Sequence, residues 1–187
     1  MDPGALAVAA SPRANFGLFS ILAASKVGGA GRVIAIEPHP VLYSRLCFNA
    51  RINAFDHITP FRTAVGEIVG EAALHIALDS DLAKSSLSHS SNGQKNIIVP
   101  VTLLSNILTQ ASVPHVDALK VDVEGYEDRV LMPFMKSAPA RLRPKWILIE
   151  VKHSTHWRID CIAEMEKLGY LVSWRSDSDT LLQIQNP

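Results

Sequence analysis

Residues 119–128, with the sequence LKVDVEGYED, place several carboxylates directly after a short apolar strand. Apolar side chains alternate there with Lys120, Asp122 and Glu124. This period of two predicts a strand, which Gly125 ends ahead of a helix. Carboxylates at the carboxyl end of a strand can accept a proton from a reacting group or a hydrogen bond from a ligand. The alternative is that Asp122 and Glu124 only solvate the strand end or stabilise the start of the helix.

Glu37 is a second acid in the same kind of position. It follows the apolar run at residues 33–36 and lies 20 residues after Gly17. This spacing is close to that of the acid that accepts hydrogen bonds from ribose hydroxyls in nucleotide-binding folds. The alternative is a carboxylate attracted by the positive end of the next helix. A dinucleotide loop needs G-x-G-x-x-G, whereas residues 14–17 offer Gly17 alone, so the sequence favours a cofactor without a pyrophosphate; an NAD-dependent oxidoreductase stays an alternative.

Glu150 ends a third predicted strand, over residues 146–151, and is expected at the same edge of the sheet. His153 and His156 follow it closely and could belong to a metal site. Without a third ligand at a suitable spacing, the sequence predicts loop histidines beside a substrate pocket, and no metal. Lys120 is expected to pair with a neighbouring acid.

The composition indicates one domain that binds a small molecule. The 187 residues, 48% of them hydrophobic, are enough to bury a substantial core. Eighteen basic and 18 acidic residues give a formal net charge of zero, which argues against nucleic acid or a strongly anionic membrane as the partner. Cys47 and Cys161 fit neither a disulfide scaffold nor a zinc motif and are expected to be reduced and partly buried. With no recognisable signal peptide or apolar span of about 20 residues, we expect a cytoplasmic protein; the oligomeric state stays open.

Predicted strands and helices alternate along most of the chain. The predicted strands cover residues 5–10, 32–37, 58–62, 72–77, 96–101, 119–123, 146–151, 170–174 and 180–184. The predicted helices cover residues 16–26, 103–108 and 159–168, and two more begin at Pro40 and after Gly125. Residues 71–101, which include a Ser-rich loop at 85–92, are interpreted as a hairpin or loop insertion within a single domain of residues 1–187.

This order predicts an α/β protein with a doubly wound, mostly parallel sheet, because repeated β-α-β units place helices on both sheet faces. The last two strands, separated by residues 176–178, predict a C-terminal antiparallel hairpin. A Rossmann-like sheet that ends in a hairpin is the pattern of class I methyltransferases. Ligands of such sheets bind beyond the carboxyl ends of the strands. The loops at residues 15–17, at Glu37 and at residues 122–125 are therefore expected to share one crevice.

Four segments of the chain resemble the FkbM family of S-adenosylmethionine-dependent methyltransferases. They are ANFGLFS at residues 14–20, GRVIAIEPHP at 31–40, AVGE at 64–67 and KVDVEGYE at 120–127. Their order and spacing match as well, and the resemblance extends from about Ala14 to the final hairpin. It implies S-adenosylmethionine as the cofactor and transfer of its methyl group, usually to a hydroxyl oxygen of a small metabolite or sugar.

The resemblance also implies roles for individual residues. It places Asn15 and Gly17 beside the amino acid part of the cofactor, Glu37 at its ribose, Ala64 and Val65 at the adenine pocket, and Asp122 beside the donor methyl group. For Ala64 and Val65 the alternative is a strand end that turns on Gly66. Because an alcohol acceptor benefits from a base, Glu124 is the first candidate on the acceptor side, with Asp122 and Glu150 as the others.

The first loop departs from the family pattern. Family members usually have D-x-G-A-N-x-G there, whereas this chain has Ser11, Pro12 and Arg13 ahead of Ala14. The missing acid normally helps to hold the cofactor's ammonium group or to order the loop, and the missing glycine leaves room for close backbone approach. The chain is accordingly expected to be a divergent or N-terminally truncated member. A degenerate, non-catalytic small-molecule-binding relative is the alternative.

Overall fold

The computed structural model describes residues 5–8, 14–76 and 95–185. Its strands are β1 (Ala5–Val8), β2 (Arg32–Ile36), β3 (Ile58–Phe61), β4 (Ala64–Val65), β5 (Gly70–Ile76), β6 (Lys95–Thr102), β7 (Ala118–Val121), β8 (Trp146–Glu150), β9 (Tyr170–Arg175) and β10 (Asp179–Ile184). Its α-helices are α1 (Leu18–Val27), α2 (Pro40–Ile52), α3 (Leu104–Gln110), α4 (Glu127–Ser137) and α5 (Cys161–Lys167). Short 3-10 turns lie at Ala140–Leu142 and Ser154–His156.

Most predicted elements lie close to their expected positions. The observed bounds differ by at most two residues from those predicted for the helix at 16–26 and for the strand at 32–37. The predicted Ser-rich loop at residues 85–92 lies outside the described residues, as do Ser11 and Arg13. Among the described helices, none has the length and apolar character that a bilayer crossing requires.

The strands form three hydrogen-bonded groups, in the orders β1-β2-β3, β7-β8-β10-β9 and β4-β6-β5. β1 also lies alongside β7, so the first two groups continue one another. β1, β2 and β3 are parallel, and β7 is parallel to β8, but β10 runs antiparallel to both β8 and β9. β6 is parallel to β4 and antiparallel to β5. Among the described strands, four of the seven pairings are parallel and three are antiparallel, so the sheets are mixed. The antiparallel pairings involve strands of the 70–102 region and of the C-terminus, which return directly instead of crossing over through a helix.

β2 shows how helices cover both faces of the central strands. Val33 and Ala35 belong to the core cluster that α1 and α2 share, whereas Ile34 and Ile36 belong to the cluster formed with α3, α4 and α5. All four side chains are fully buried. When both faces of a strand are buried, all of its side chains lie in the core, so the sequence is continuously apolar instead of alternating with polar residues.

The buried face of α1 differs from the predicted one. The spacing of Leu18, Ile21 and Leu22 predicts that they share one buried face. Leu18 and Leu22 are nevertheless half exposed, at 51% each. The fully buried residues of the helix are instead Ser20 and Ala24. Small side chains let α1 approach β2 closely, so volume, and not hydrophobicity alone, decides which face packs.

Candidate active site

The loop between β1 and α1 is hydrogen-bonded to the acid after β2. The N–H of Asn15 donates to Glu37 Oε2 at 3.1 Å, and the N–H of His39 donates to Glu37 Oε1 at 2.8 Å. Asn15 and Gly17 have positive φ angles of 52° and 94°, which turn the chain sharply into α1. Asn49 of α2 holds the same loop by donating from Nδ2 to the carbonyl of Phe16 at 2.8 Å. Two of the three loops expected in one crevice are thus in direct contact.

Glu37 is fully buried. Burial raises the pKa of its carboxyl to about 9, and the N–H groups of His39 and Asn15 act in the opposite direction. The group therefore holds its proton near neutral pH in this structure. A ligand that donates hydrogen bonds to the carboxylate would favour its ionised form.

His39 and Pro40 explain why α2 begins directly after Glu37. The His39 ring accepts hydrogen bonds at Nδ1 from the N–H groups of Val41 and Leu42, at 3.2 and 3.4 Å. Pro40 occupies the first helical position, where its missing N–H costs nothing. Burial lowers the pKa of His39, with Arg45 adding to the effect, so the ring stays a neutral acceptor. The sequence E-P-H-P thus encodes an acid followed by a capped helix.

Asp122 lies just beyond β7 and is paired with Lys120, as the sequence predicted for that lysine. Both side chains are largely buried, at 8% and 9% exposure. Lys120 Nζ also lies 4.6 Å from the centre of the Phe19 ring, in the first turn of α1. This contact brings the carboxyl end of β7 to the start of α1.

Glu124, Glu150 and His153 come together at the carboxyl ends of β7 and β8. Glu124 Oε2 lies 3.0 Å from His153 Nε2, and ligand atoms of all three residues are within 4.8 Å of one another. Glu150 is buried, whereas the side chains of Glu124 and His153 are 12% and 32% exposed. The grouping of Glu150 with Glu124 agrees with the predicted shared edge. The contact of His153 with Glu124 was not predicted, because the two residues are 29 positions apart in the chain.

Glu127 is a structural acid of the same loop that sequence reasoning missed. It is fully buried, and its Oε1 accepts from the N–H groups of Val123 and Gly125 at 2.8 and 3.2 Å. Its Oε2 accepts from Trp157 Nε1 at 2.6 Å. Burial raises the pKa of Glu127, and these donors oppose that shift. The available signal was an acid in the first turn of a helix, two residues after a turn glycine, a position that caps backbone N–H groups.

Gly125 is required by the turn between β7 and α4. Its φ angle is 87°, a conformation that is strained for any residue with a Cβ atom. A Cβ there would lie 2.8 Å from His156 Nδ1 and 3.2 Å from the carbonyl oxygen of His153. The loop that carries His153 therefore packs directly on Gly125.

Ala64 and Val65 form β4 and are buried. A Cβ on Gly66, the next residue, would lie 3.7 Å from the ring of Tyr126. Glu67 in turn pairs with Arg158 at 3.1 Å. The A-V-G-E segment thus lies beside the loops after β7 and β8, although neither Ala64 nor Val65 offers a polar side chain to a ligand.

Known proteins share this fold. A crystal structure of methyltransferase FkbM from Methylobacillus flagellatus superposes on 99% of this chain with a TM-score of 0.61 and 17% sequence identity. This chain covers only 44% of that protein. Precorrin-6y C5,15-methyltransferase from Geobacter metallireducens superposes over 95% of this chain and 77% of its own, with a TM-score of 0.50 at 12% identity. A proposed O-methyltransferase from Klebsiella pneumoniae covers 98% of this chain and 73% of its own, with a TM-score of 0.53 at 11% identity.

Identities this low establish the methyltransferase fold and nothing finer. No curated protein matches the chain. Residues 13–172, however, match the methyltransferase FkbM domain and include every predicted site residue, from Asn15 to Glu150. Because this match covers most of the 187 residues, the chain belongs to the FkbM methyltransferase domain family.

Proposed function

We propose that this chain binds S-adenosylmethionine at the carboxyl ends of β2 and β7 and transfers its methyl group to a hydroxyl oxygen of a small-molecule or sugar acceptor. The observation that carries the proposal is the Glu37 carboxylate, which follows β2 and is held by the N–H groups of Asn15 and His39. Family membership supports methyl transfer. It gives no support to the alternative of an NAD-dependent oxidoreductase.

The residues around Glu37 fit a ribose. A carboxylate offers about four lone-pair positions, and among the described residues one backbone N–H reaches each oxygen of Glu37. Capacity therefore remains for two ribose hydroxyls. Because Glu37 is fully buried, the surroundings of its carboxyl must open for a ribose to bind. Asn15 and Gly17 are proposed to contact the amino acid part, and Ala64 and Val65 the adenine side.

Bound S-adenosylmethionine supplies a methyl group on a positively charged sulfur, which we place beside Asp122. When bound, it would supply that methyl group to the acceptor oxygen, and the electron pair of the broken carbon–sulfur bond would stay on sulfur. The hydroxyl proton passes to Glu124 or to His153, its partner at 3.0 Å. Holding the acceptor oxygen in line with the sulfur would lower the activation barrier by several kcal/mol.

The acceptor is proposed to bind in the cleft that follows Glu150. Val151, Ser154, Thr155 and Arg175 are among the residues that line this cleft. Hydroxyl groups and a guanidinium can hydrogen-bond a polar acceptor such as a sugar. The loop that carries His153 therefore contributes to both the cleft and the proposed proton acceptor.

Calorimetric titration with S-adenosylmethionine and with NAD tests the cofactor. We expect S-adenosylmethionine to bind and NAD not to bind. Glu37→Ala should weaken S-adenosylmethionine binding by about 1.5 to 3 kcal/mol, since hydrogen bonds to a charged group are lost. Glu71→Ala, an exposed substitution, is the control. Binding of neither cofactor, or equal affinity in Glu37→Ala and the wild type, would contradict the proposal.

A non-catalytic binding relative is the second candidate, favoured by Ser11 and Arg13 in the first loop. It predicts that S-adenosylmethionine binds but that no demethylated cofactor forms with any polyhydroxyl acceptor. The double variant Ser11→Asp/Arg13→Gly restores the family pattern and is expected to tighten binding. If affinity and product formation both stay unchanged in that variant, the departure of the loop is harmless and does not favour this candidate.

A further inference from the structure

We propose that Glu124, Glu150 and His153 bind a divalent transition-metal ion. Each of the three offers one ligand atom, and these atoms lie within 4.8 Å of one another. Glu124 follows β7, Glu150 ends β8, and His153 lies in the loop after β8. Because β7 and β8 are parallel neighbours, their carboxyl ends bring the three side chains to one place.

The separations suit a metal ion. Glu124 Oε2 and His153 Nε2 are 3.0 Å apart. Two ligands at about 2.1 Å from an ion and at right angles to each other are also about 3.0 Å apart, and opposite ligands are about 4.2 Å apart. The largest separation in the group, at most 4.8 Å, is only slightly greater. The three ligand atoms therefore lie about as close together as the ligands of one ion do.

Burial supplies a second reason for a cation. Glu150 is 4% exposed, and the side chain of Glu124 is 12% exposed. A cation bound at these side chains would be largely enclosed, and the attraction between a cation and carboxylate ligands is stronger where water is excluded. His115 and Asp117 offer a contrast, since they form a similar pair at 3.2 Å that no third ligand joins in the part of the chain that the structure describes.

The ligand types indicate which ions bind. Imidazole prefers transition-metal ions, whereas Ca²⁺ and Mg²⁺ prefer oxygen ligands throughout. One imidazole with two carboxylates therefore favours Mn²⁺ or Zn²⁺. Three protein ligands leave further positions open to small molecules. With an ion bound, Glu124 and His153 would act as its ligands instead of as the proton acceptor, and the ion would lower the pKa of an acceptor hydroxyl bound to it. This use rests on the proposed function, whereas binding of the ion does not.

The test uses the purified full chain after treatment with a chelator. Mn²⁺ is added without S-adenosylmethionine, and the electron paramagnetic resonance signal of free Mn²⁺ reports binding. We expect one Mn²⁺ per chain, displaced by Zn²⁺. Glu124→Gln, Glu150→Gln and His153→Gln should each weaken Mn²⁺ binding about tenfold or more. His115→Gln is the matched control and should leave it unchanged, with circular dichroism establishing that each variant folds.

A measurement on the wild type covers the case in which a variant does not fold. Mn²⁺ should broaden the ring signals of His153 in the NMR spectrum before those of His115. Absence of Mn²⁺ binding, or equal broadening of the two histidines, overturns the proposal. The outcome is separate from that of the proposed function. Binding of Mn²⁺ without binding of S-adenosylmethionine contradicts only the methyl-transfer proposal. Binding of S-adenosylmethionine without binding of Mn²⁺ contradicts only the metal site.

Discussion

Trp157 donates a hydrogen bond from Nε1 to Glu127 Oε2 over 2.6 Å, and this contact fastens the loop after β8 to the loop after β7. The other oxygen of Glu127 accepts from the N–H groups of Val123 and Gly125. One buried carboxylate therefore holds both loops that present the candidate catalytic side chains. Glu124 lies in the first of them and His153 in the second.

Replacing Glu127 should destabilise the fold and disturb the site together. Glu127→Ala leaves the N–H groups of Val123 and Gly125 and the Trp157 indole without their acceptor, at a cost of about 1 to 3 kcal/mol for each donor that stays buried. We expect a loss of about 2 to 5 kcal/mol in the free energy of unfolding, measured by chemical denaturation. Glu166→Ala, an exposed substitution on α5, should change it little.

Trp157→Phe separates the two functions of Glu127. It keeps both backbone hydrogen bonds and removes only the indole donor, so the stability loss should be about 1 to 2 kcal/mol. We expect a larger fractional loss of methyl-transfer rate than of cofactor affinity, because the His153 loop is released while Glu37 is untouched. Equal losses of rate and affinity would mean that the contact only supports the fold.

Hydrophobic periodicity predicted the elements well but not the contacts between them. The apolar run that ends at Ile36 indicated a strand covered on both faces, and the structure bears this out. The acids at 37, 124 and 150 could be placed because strand ends are visible in the sequence. The partners of Glu127 could not be predicted in this way. Its hydrogen bond from Trp157 forms only once β7 and β8 lie side by side. For the same reason, spacing along the chain gave no third ligand beside His153.

The pH dependence of stability should carry the signature of Glu37. Its pKa is about 9 in the folded chain against an ordinary value of 4.5, so the folded chain binds more protons between these values. Stability therefore falls as pH rises through this window, by at most about 1.4 kcal/mol per pH unit from this group. Glu37→Gln, which does not titrate, should show a flatter dependence from pH 5 to 8 by denaturant titration.

The comparison with the wild type isolates Glu37, because all other titrating groups are shared. Glu71→Gln serves as the exposed control and should keep the slope of the wild type. A Glu37→Gln variant with that same slope would mean that Glu37 is ionised throughout the range. The pKa of the buried carboxyl would then lie near its ordinary value.

Cofactor binding should release a proton from Glu37. Ribose hydroxyls donate hydrogen bonds to the carboxylate and favour its ionised form, so the pKa falls on binding. At pH 7.5 we expect release of up to one proton per bound S-adenosylmethionine. Calorimetry in buffers of different ionisation enthalpy measures this number. A Glu37→Gln variant that still binds should release no proton. Equal release by both proteins would mean that the proton comes from another group.

Gly125 and Gly169 allow backbone strain to be separated from steric conflict in the site. Their φ angles are nearly equal, at 87° and 89°. A Cβ on Gly169 meets nothing within 4 Å, whereas one on Gly125 would lie 2.8 Å from His156 Nδ1 and 3.2 Å from the backbone oxygen of His153. Gly169→Ala should thus cost only the strain of a positive φ, about 1 to 2 kcal/mol.

Gly125→Ala carries the same strain and must also displace the loop that holds His153. The backbone oxygen of His153 cannot give way as a flexible side-chain end can, so we expect a stability loss greater than that of Gly169→Ala by about 1 kcal/mol or more. Methyl transfer should fall sharply in Gly125→Ala and stay near wild type in Gly169→Ala, because only the former moves His153 away from Glu124. Thermal denaturation and product formation, measured on both variants, test this. Equal activity in the two would show that the Glu124–His153 contact does not depend on the packing of this loop on Gly125.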